Sequence, residues 1–280
     1  MRDGLGPSRV RLRGGAVLVE LADRFGEAAA EKVLNGEVLA ADGSVVTAAT
    51  VLQPNSLVYV YRDLPDEVTV PFELVVLHRD EDILVVDKPH FLATMPRGRH
   101  VAQTALVRLR RDLDLPDLSP AHRLDRLTAG VLLFTVRREL RGAYQTMFAR
   151  GQVRKTYLAH APVDAARAFP VTVRSRIVKR RGCLQAVKEP GEPNAETFIE
   201  HQGGGRYRLT PRTGRTHQLR VHMASLGLPI TGDPWYPEVV DVPADDFSTP
   251  LHLVAHSLEF DDPLTGVPRR FTSARVLPGS

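Results

Sequence analysis

The run GVLLFTV, residues 130–136, constrains the fold more than any other segment. Seven consecutive residues with almost no polar side chain leave no face for solvent. Such a run is expected to be a strand covered on both sides. Just ahead of it stands HRLDRLTAG, dense in charge and ending in a turn (Thr128-Ala129-Gly130). A buried strand therefore begins where a charged loop ends, so that loop is carried on a rigid edge.

The remaining segments do not alternate regularly between strand and helix. ELVVLHRDEDILVVDKP reads as two strands around an acidic turn, and residues 102–112 have helical periodicity. RRELRGAYQTMFARG reads as a helix stopped by Gly151, KTYLAHAPV as a strand, and HQGGGRYRLTP as a hairpin turn followed by a strand. TGRTHQLRVHMASLGLP is expected to be a helix with Leu219, Met223 and Leu226 as its apolar stripe. This pattern predicts an α+β fold with a mixed or antiparallel sheet and flanking helices. Within residues 15–66, AVLVELADRFGEAAAEKVLNG reads as one or two short helices ending at Gly36. EVLAADGSVVTAATVL follows as short strands around Asp42-Gly43, and then LVYVYR as a strand. RDLPDEVTVPFE has the composition of a linker. The expected organisation is a small N-terminal appendage, residues 1–66, and a main domain, residues 72–280.

Charge sharpens the picture. The 280 residues carry 37 Lys+Arg and 33 Asp+Glu, formally +4, and 32 of the 37 are arginine. Residues 97–181 hold 19 basic and 6 acidic residues, net +13, whereas residues 1–96 are net −6 and 233–280 net −5. A near-neutral total thus conceals a basic middle third, which suggests a polyanionic partner. The single cysteine, Cys183, excludes an intrachain disulfide and a cysteine-rich zinc site. No run approaches the roughly 20 apolar residues of a membrane span, and the basic N-terminus lacks the apolar stretch of a signal peptide. These features predict a soluble, cytoplasmic protein.

Three segments could carry chemistry. In PAHRLDRLTAG, Asp125 lies between Arg123 and Arg126, whose guanidinium groups would favour an ionised carboxylate suited to act as nucleophile or base. A structural ion pair capping the turn accounts for the same pattern. In PRTGRTHQLRVH, Arg215, His217, Gln218 and Arg220 fall at the start of the expected helix, with His217 and Arg220 neighbours on one face. Such a helix start could present a guanidinium to a carboxylate or phosphate. In RKTYLA, Tyr157 opens a strand and could stack on a base or move a proton, or simply be a half-buried strand tyrosine. His252 and His256 lie in an expected strand, so their spacing does not bring them together. No complete metal-ligand set and no phosphate-loop or dinucleotide fingerprint is present.

Taken in order, ILVVDKPHFLATMP, HRLDRLTAG, RKTYLA, TGRTHQLRVH and TGDPWYP resemble the RluA-type family of RNA pseudouridine synthases across residues 72–275. The resemblance implies a pseudouridine synthase-like sheet with a central catalytic cleft. It also implies conversion of uridine to pseudouridine within rRNA or tRNA, with no cofactor or metal. Asp125 matches the family's essential aspartate, Tyr157 the tyrosine that packs on the base, and Arg220 the arginine that pairs with the catalytic carboxylate. Arg123 matches a side chain that fills the stack after the uridine is flipped. Arg126, Arg215, His217 and Gln218 are expected to contact RNA. The appendage looks like a degenerate RNA-binding module, and the protein is expected to act as a monomer. TAG stands where TSG is common, and LHLVAHSL replaces a more continuous LLLHA pattern, leaving the roles of Ala129 and His252 open. A non-catalytic RNA-binding protein would retain the basic segment without needing Asp125, Tyr157 and Arg220 together. A nucleoside hydrolase would require a second carboxylate beside Asp125.

Overall fold

In the computed structural model, which describes residues 3–61, 63 and 66–277, the chain separates into two units, Met1–Asp66 and Glu67–Ser280. The first contains β1 (Ser8–Arg11), β2 (Gly15–Ala16), α1 (Val17–Phe25), α2 (Glu27–Leu34), β3 (Val38–Ala40), β4 (Val51–Leu52) and β5 (Leu57–Val60). Strands β1, β5 and β3 form an antiparallel sheet. Val10, Val17, Leu21, Val33, Val38 and Val58 supply its core. Gly26, at φ 85°, separates the two helices. The segment after Asp42-Gly43 is less regular than the sequence suggests: only a bridge from Leu39 to Val45 and the two residues of β4 form.

The second unit comprises β6 (Val75–Arg79), β7 (Ile83–Lys88), α3 (Ala105–Asp112), β8 (Ser119–Pro120), β9 (Ala129–Thr135), α4 (Arg141–Ala149), β10 (Arg154–His160) and β11 (Val171–Val178). It continues through β12 (Val187–Glu189), β13 (Ala195–His201), β14 (Arg206–Pro211), α5 (Gln218–Ser225), β15 (Leu253–Asp261) and β16 (Pro268–Thr272). One eleven-stranded sheet runs in the order β12-β11-β13-β14-β10-β15-β9-β7-β6, with β16 on β15 and β8 on β9. Among the described residues, only the β15–β9 pairing of this sheet's strands is parallel, so the sheet is mixed and the α+β expectation holds.

The apolar run is buried along its whole length, as β9. Its side chains alternate between two cores. Leu132 and Phe134, with Leu84 and Val86 of β7, pack against Leu106 and Leu109 of α3. Val131 and Leu133, with Ile83 and Val85, pack against Tyr144 and Met147 of α4. Two covered faces are the physical reason for an uninterrupted apolar sequence. Each fully buried branched side chain contributes about 1.5–3 kcal/mol, so the start of β9 is a rigid platform. Gly130 is required there: at φ 112° a Cβ would lie 2.2 Å from the Ala255 carbonyl oxygen of β15.

Helix α5 departs from the sequence expectation in two ways. It begins at Gln218, so Arg215 and His217 lie in the preceding turn, not on the helix. His217 adopts a left-handed conformation, φ 58°, as the cap. The expected stripe of Leu219, Met223 and Leu226 does pack on the main core, but the helix is buried on its other sides as well over Gln218–Met223, polar residues included. Among the described residues no helix is long and apolar enough to cross a membrane.

Candidate active site

Asp125 lies in the connection from β8 to β9, and that connection is braced from below. Thr94 Oγ1 donates to the Leu124 carbonyl (2.8 Å) and accepts the Leu124 N–H (3.1 Å). The fully buried Lys88 ammonium donates to the carbonyls of Pro89, Leu92 and Arg126 at 2.9, 2.7 and 3.3 Å. His90 Nδ1 donates to Leu127 O at 2.7 Å. The turn is closed by Thr128 N–H to Asp125 O, 3.1 Å. Burial drives the Lys88 pKa well down, opposed by the charge of Asp125. The backbone is thus held at Leu124, Arg126, Leu127 and Thr128, while the Asp125 side chain stays 29% exposed.

Arg220 faces two carboxylates. Its Nε and Nη2 grip Asp233 bidentately at 2.7 and 2.6 Å, and both side chains are 1% exposed. Asp233 Oδ1 also accepts the N–H groups of Trp235 and Tyr236, at 2.9 and 3.2 Å. The guanidinium lies 4.9 Å from the Trp235 ring centroid and 5.1 Å from that of Tyr236. Its third nitrogen, Nη1, is buried without a hydrogen-bond partner and stands 4.0 Å from Asp125 Oδ2. The resemblance pairs Arg220 with Asp125; in the structure its close partner is Asp233, and Asp125 is met at the edge of ion-pair range. Burial works against the charged guanidinium, but the Asp233 hydrogen bonds and the two carboxylate charges outweigh it and raise its pKa.

Tyr157, on β10, is brought near Asp125 because β10 and β9 both flank β15. Burial, and then the Asp125 charge, raise its phenol pKa well above 10, so it is neutral at physiological pH. His217 Nδ1 lies 2.9 Å from the Tyr236 hydroxyl, which already donates to Ala186 O and accepts from Ala186 N–H. Nδ1 is therefore the donor in that contact, leaving Nε2 as an acceptor. Burial is the main reason that the His217 pKa is lowered to about 4.

One cleft of about 730 Å³ is lined by Asp125, Tyr157, Arg220, Arg123, Arg215, His217 and Gln218 together. Arg150, Lys155 and Arg212 line it too, so six cationic side chains surround a single carboxylate, Asp125. No second acid is available there for a two-carboxylate hydrolysis. Two expectations change. Arg126 is not among the lining residues; its guanidinium sits 6.0 Å from the Phe91 ring centroid and donates to Phe91 O. Gln218 lines the cleft, but its amide is saturated. It accepts from Thr213 Oγ1 and Arg215 N–H, and donates to Glu196 O and Thr197 Oγ1, leaving nothing to offer RNA. Arg123 is exposed.

Sequence reasoning assigned no role to Asp233, Lys88, Thr94 or His90. All four lie within motifs that carry the resemblance, yet each acts through a backbone or buried contact that spacing alone does not reveal. The Gly-Asp-Pro turn is the one sequence hint for Asp233; its burial is seen only in the fold.

The second unit thus combines a mixed sheet with a cationic cleft around one aspartate and one tyrosine, and comparison with known proteins identifies the class. Residues 82–225 match the family model described as RNA pseudouridylate synthase. An uncharacterized RNA pseudouridine synthase of Synechocystis is 31% identical over 223 residues, 74% of this chain and 72% of that one. The dual-specificity RNA pseudouridine synthase RluA of Yersinia pestis is 31% identical over 206 residues, 71% of this chain and 97% of its own. The solved structure of human RNA pseudouridylate synthase domain containing 1 superposes with a TM-score of 0.57 at 25% identity, covering 72% of this chain and 84% of that one. The chain belongs to the RNA pseudouridylate synthase family. Within that family it is of the RluA type, an isomerase that makes pseudouridine in RNA.

Proposed function

We propose that the enzyme isomerises specific uridines in structured rRNA or tRNA, with Asp125 as the catalytic carboxylate. The observation that carries this reading is the isolation of Asp125 as the one acid in a cleft lined by six cations. The target uridine is stacked, so it must be flipped out at a cost of a few kcal/mol. Arg123, exposed at the cleft, fills the vacated stack, and Arg150, Arg212 and Arg215 take neighbouring phosphates. Asp125 then acts on the ribose, by attack at C1′ or by promoting a glycal. The N1–C1′ bond breaks and its electron pair leaves with the uracil. The buried Nη1 of Arg220 steadies the carboxylate and the departing charge. After the base turns, C5 bonds to C1′ as the Asp125 carboxylate is released (or, from the glycal, as C2′ regains its proton); C5 then loses its proton and N1 takes one up, so the isomerisation is balanced in protons and redox-neutral. Tyr157 packs on the base. Its neutral phenol is too weak a base to keep a proton, so its part is to hydrogen-bond and relay the acidic C5 proton of the C–C bonded intermediate to the freed Asp125 carboxylate or to solvent, a loss that restores the aromatic ring.

The relative from Yersinia pestis is described as dual-specificity; which RNA this chain modifies is a separate matter. We infer that it works in the cytoplasm as a monomer, with no obligatory protein partner. The N-terminal unit holds 7 basic and 9 acidic residues, so an RNA-binding role for it depends on local contacts from Arg9, Arg11 and Arg13 and not on net charge. The test is a pseudouridine map of rRNA and tRNA from a strain lacking the gene, complemented with wild type or Asp125→Asn. One or more positions lost and restored only by wild type supports the reading; restoration by both would overturn it.

A further inference from the structure

The Arg123–Asp125 segment is held at Leu124 by Thr94 and downstream, at Arg126, by Lys88, and its upstream tether is unusual. Strand β8 pairs with β9 through Ser119↔Thr135 and Pro120↔Phe134. One residue later Ala121 N–H still donates to Leu133 O, 3.0 Å. The return bond of that pair would run from the Leu133 N–H to the Ala121 carbonyl. That bond goes instead to a side chain, His122 Nε2, at 3.1 Å. Leu133 is fully buried, so no water substitutes for that acceptor. The imidazole lies flat on Phe148 of α4, with ring centroids 4.4 Å apart and an interplanar angle of 17°.

A backbone N–H can only donate, so Nε2 carries the lone pair and the ring is neutral with its proton on Nδ1. Burial, helped by the Lys155 charge, agrees, lowering the His122 pKa to about 3. The side chain thus ends the ladder in place of backbone, and the main chain is released from the sheet at that residue. Asp125 follows three residues on, at most ~10 Å of chain away.

We infer that His122 is a positioning residue: by capping the Leu133 N–H and stacking on Phe148 it fixes where Arg123 and Asp125 leave the sheet and enter the cleft. The inference rests on the reading of Asp125 as the catalytic carboxylate. A shift of about 1 Å in a reacting group can lower a rate by about 100-fold, so the effect belongs in kcat.

The test compares His122→Gln with His122→Leu, using tritium release from total cellular RNA labelled at uridine C5 and taken from a strain lacking the gene. Gln Oε1 stands the same number of bonds from Cα as Nε2 and can accept the Leu133 N–H; Leu has similar bulk and cannot. The expected result is a kcat about 10- to 100-fold below wild type for His122→Leu, half-saturation by RNA within threefold, and substantial recovery of kcat in His122→Gln. Equal kcat for the two variants, or a loss confined to half-saturation, would overturn the inference. Should His122→Leu fail to fold, Phe148→Leu, which removes only the stacking partner, is expected to lower kcat in the same direction, and an unchanged kcat there would overturn it. The Asp125 reading is checked separately: an active Asp125→Asn enzyme sinks that reading, whereas an inactive one beside a fully active His122→Leu sinks only this one.

Discussion

Arg220 touches two aspartates that could hardly be more different. Asp233 is buried, gripped by two guanidinium nitrogens and two backbone N–H groups. Asp125 is partly exposed, 4.0 Å from the one guanidinium nitrogen left without a partner. A buried carboxylate with four donors on its two oxygens holds structure; one whose backbone is fixed and whose oxygens are open to a cleft is available for chemistry. The difference shows how a single arginine can be anchored and still have a donor free for the reaction.

The sharpest way to break this contrast is to remove each carboxylate in turn. Asp233→Ala strands a buried guanidinium, and we expect it to cost about 3–5 kcal/mol of stability, read as a lower denaturation midpoint, with activity lost alongside. Asp125→Asn is expected to change stability by no more than about 0.5 kcal/mol. Comparable destabilisation by the two would erase the distinction. Next in size is Gly130→Ala. The added Cβ meets the Ala255 carbonyl at 2.2 Å in a left-handed backbone conformation, and we expect a loss of about 1–3 kcal/mol together with reduced kcat, because the same turn delivers Asp125. A wild-type melting profile for this variant would count against the rigid-platform account.

Acid should act on the braced region through its histidines. His90, His217 and His222 have pKa values lowered to about 4, and His122 to about 3, chiefly by burial. In the unfolded chain each titrates near 6.5. Below that pH the unfolded state binds more protons, so this contribution to stability is complete above about pH 6.5 and declines as pH falls toward 4. Each histidine adds a slope of up to about 1.4 kcal/mol per pH unit. Urea midpoints between pH 7.5 and 5 should fall, and a flat response would contradict neutral burial. The smallest expected effect is at the exposed mouth. Arg123→Ala should raise half-saturation by RNA several-fold and reduce the slope of log affinity against log salt by at most about 1. An unchanged dependence on both RNA and salt would remove Arg123 from the interface.

Much of this was legible in the sequence, and the unread part has a common cause. The run GVLLFTV announced a doubly covered strand because burial on two faces leaves its mark on every residue. Asp125, Tyr157 and Arg220 could be picked out because each lies in a short motif, and all three line the cleft. Arg215 and His217 were placed on a helix that starts only at Gln218: the left-handed cap at His217 is a backbone choice that residue periodicity does not encode. Gln218 looked like an RNA contact because an amide suits one; its four hydrogen bonds come from β13 and the turn before α5, which become neighbours only after folding. Arg126 likewise turns toward Phe91 and away from the cleft. Thr94 and Lys88 reach the backbone of Leu124 and Arg126, 30 and 38 residues on, and Asp233 grips the Arg220 side chain 13 residues before it; no local pattern marks such partners.

The proposal on which the rest depends is that Asp125 is the catalytic carboxylate, assisted by Arg220 and Tyr157 and held in place by the surrounding structure. Single-turnover tritium release by purified Asp125→Asn, in excess over RNA labelled at uridine C5, tests this most directly. Release at background level is expected, from a protein that melts and binds RNA like wild type. Release at a rate near that of wild type would contradict it.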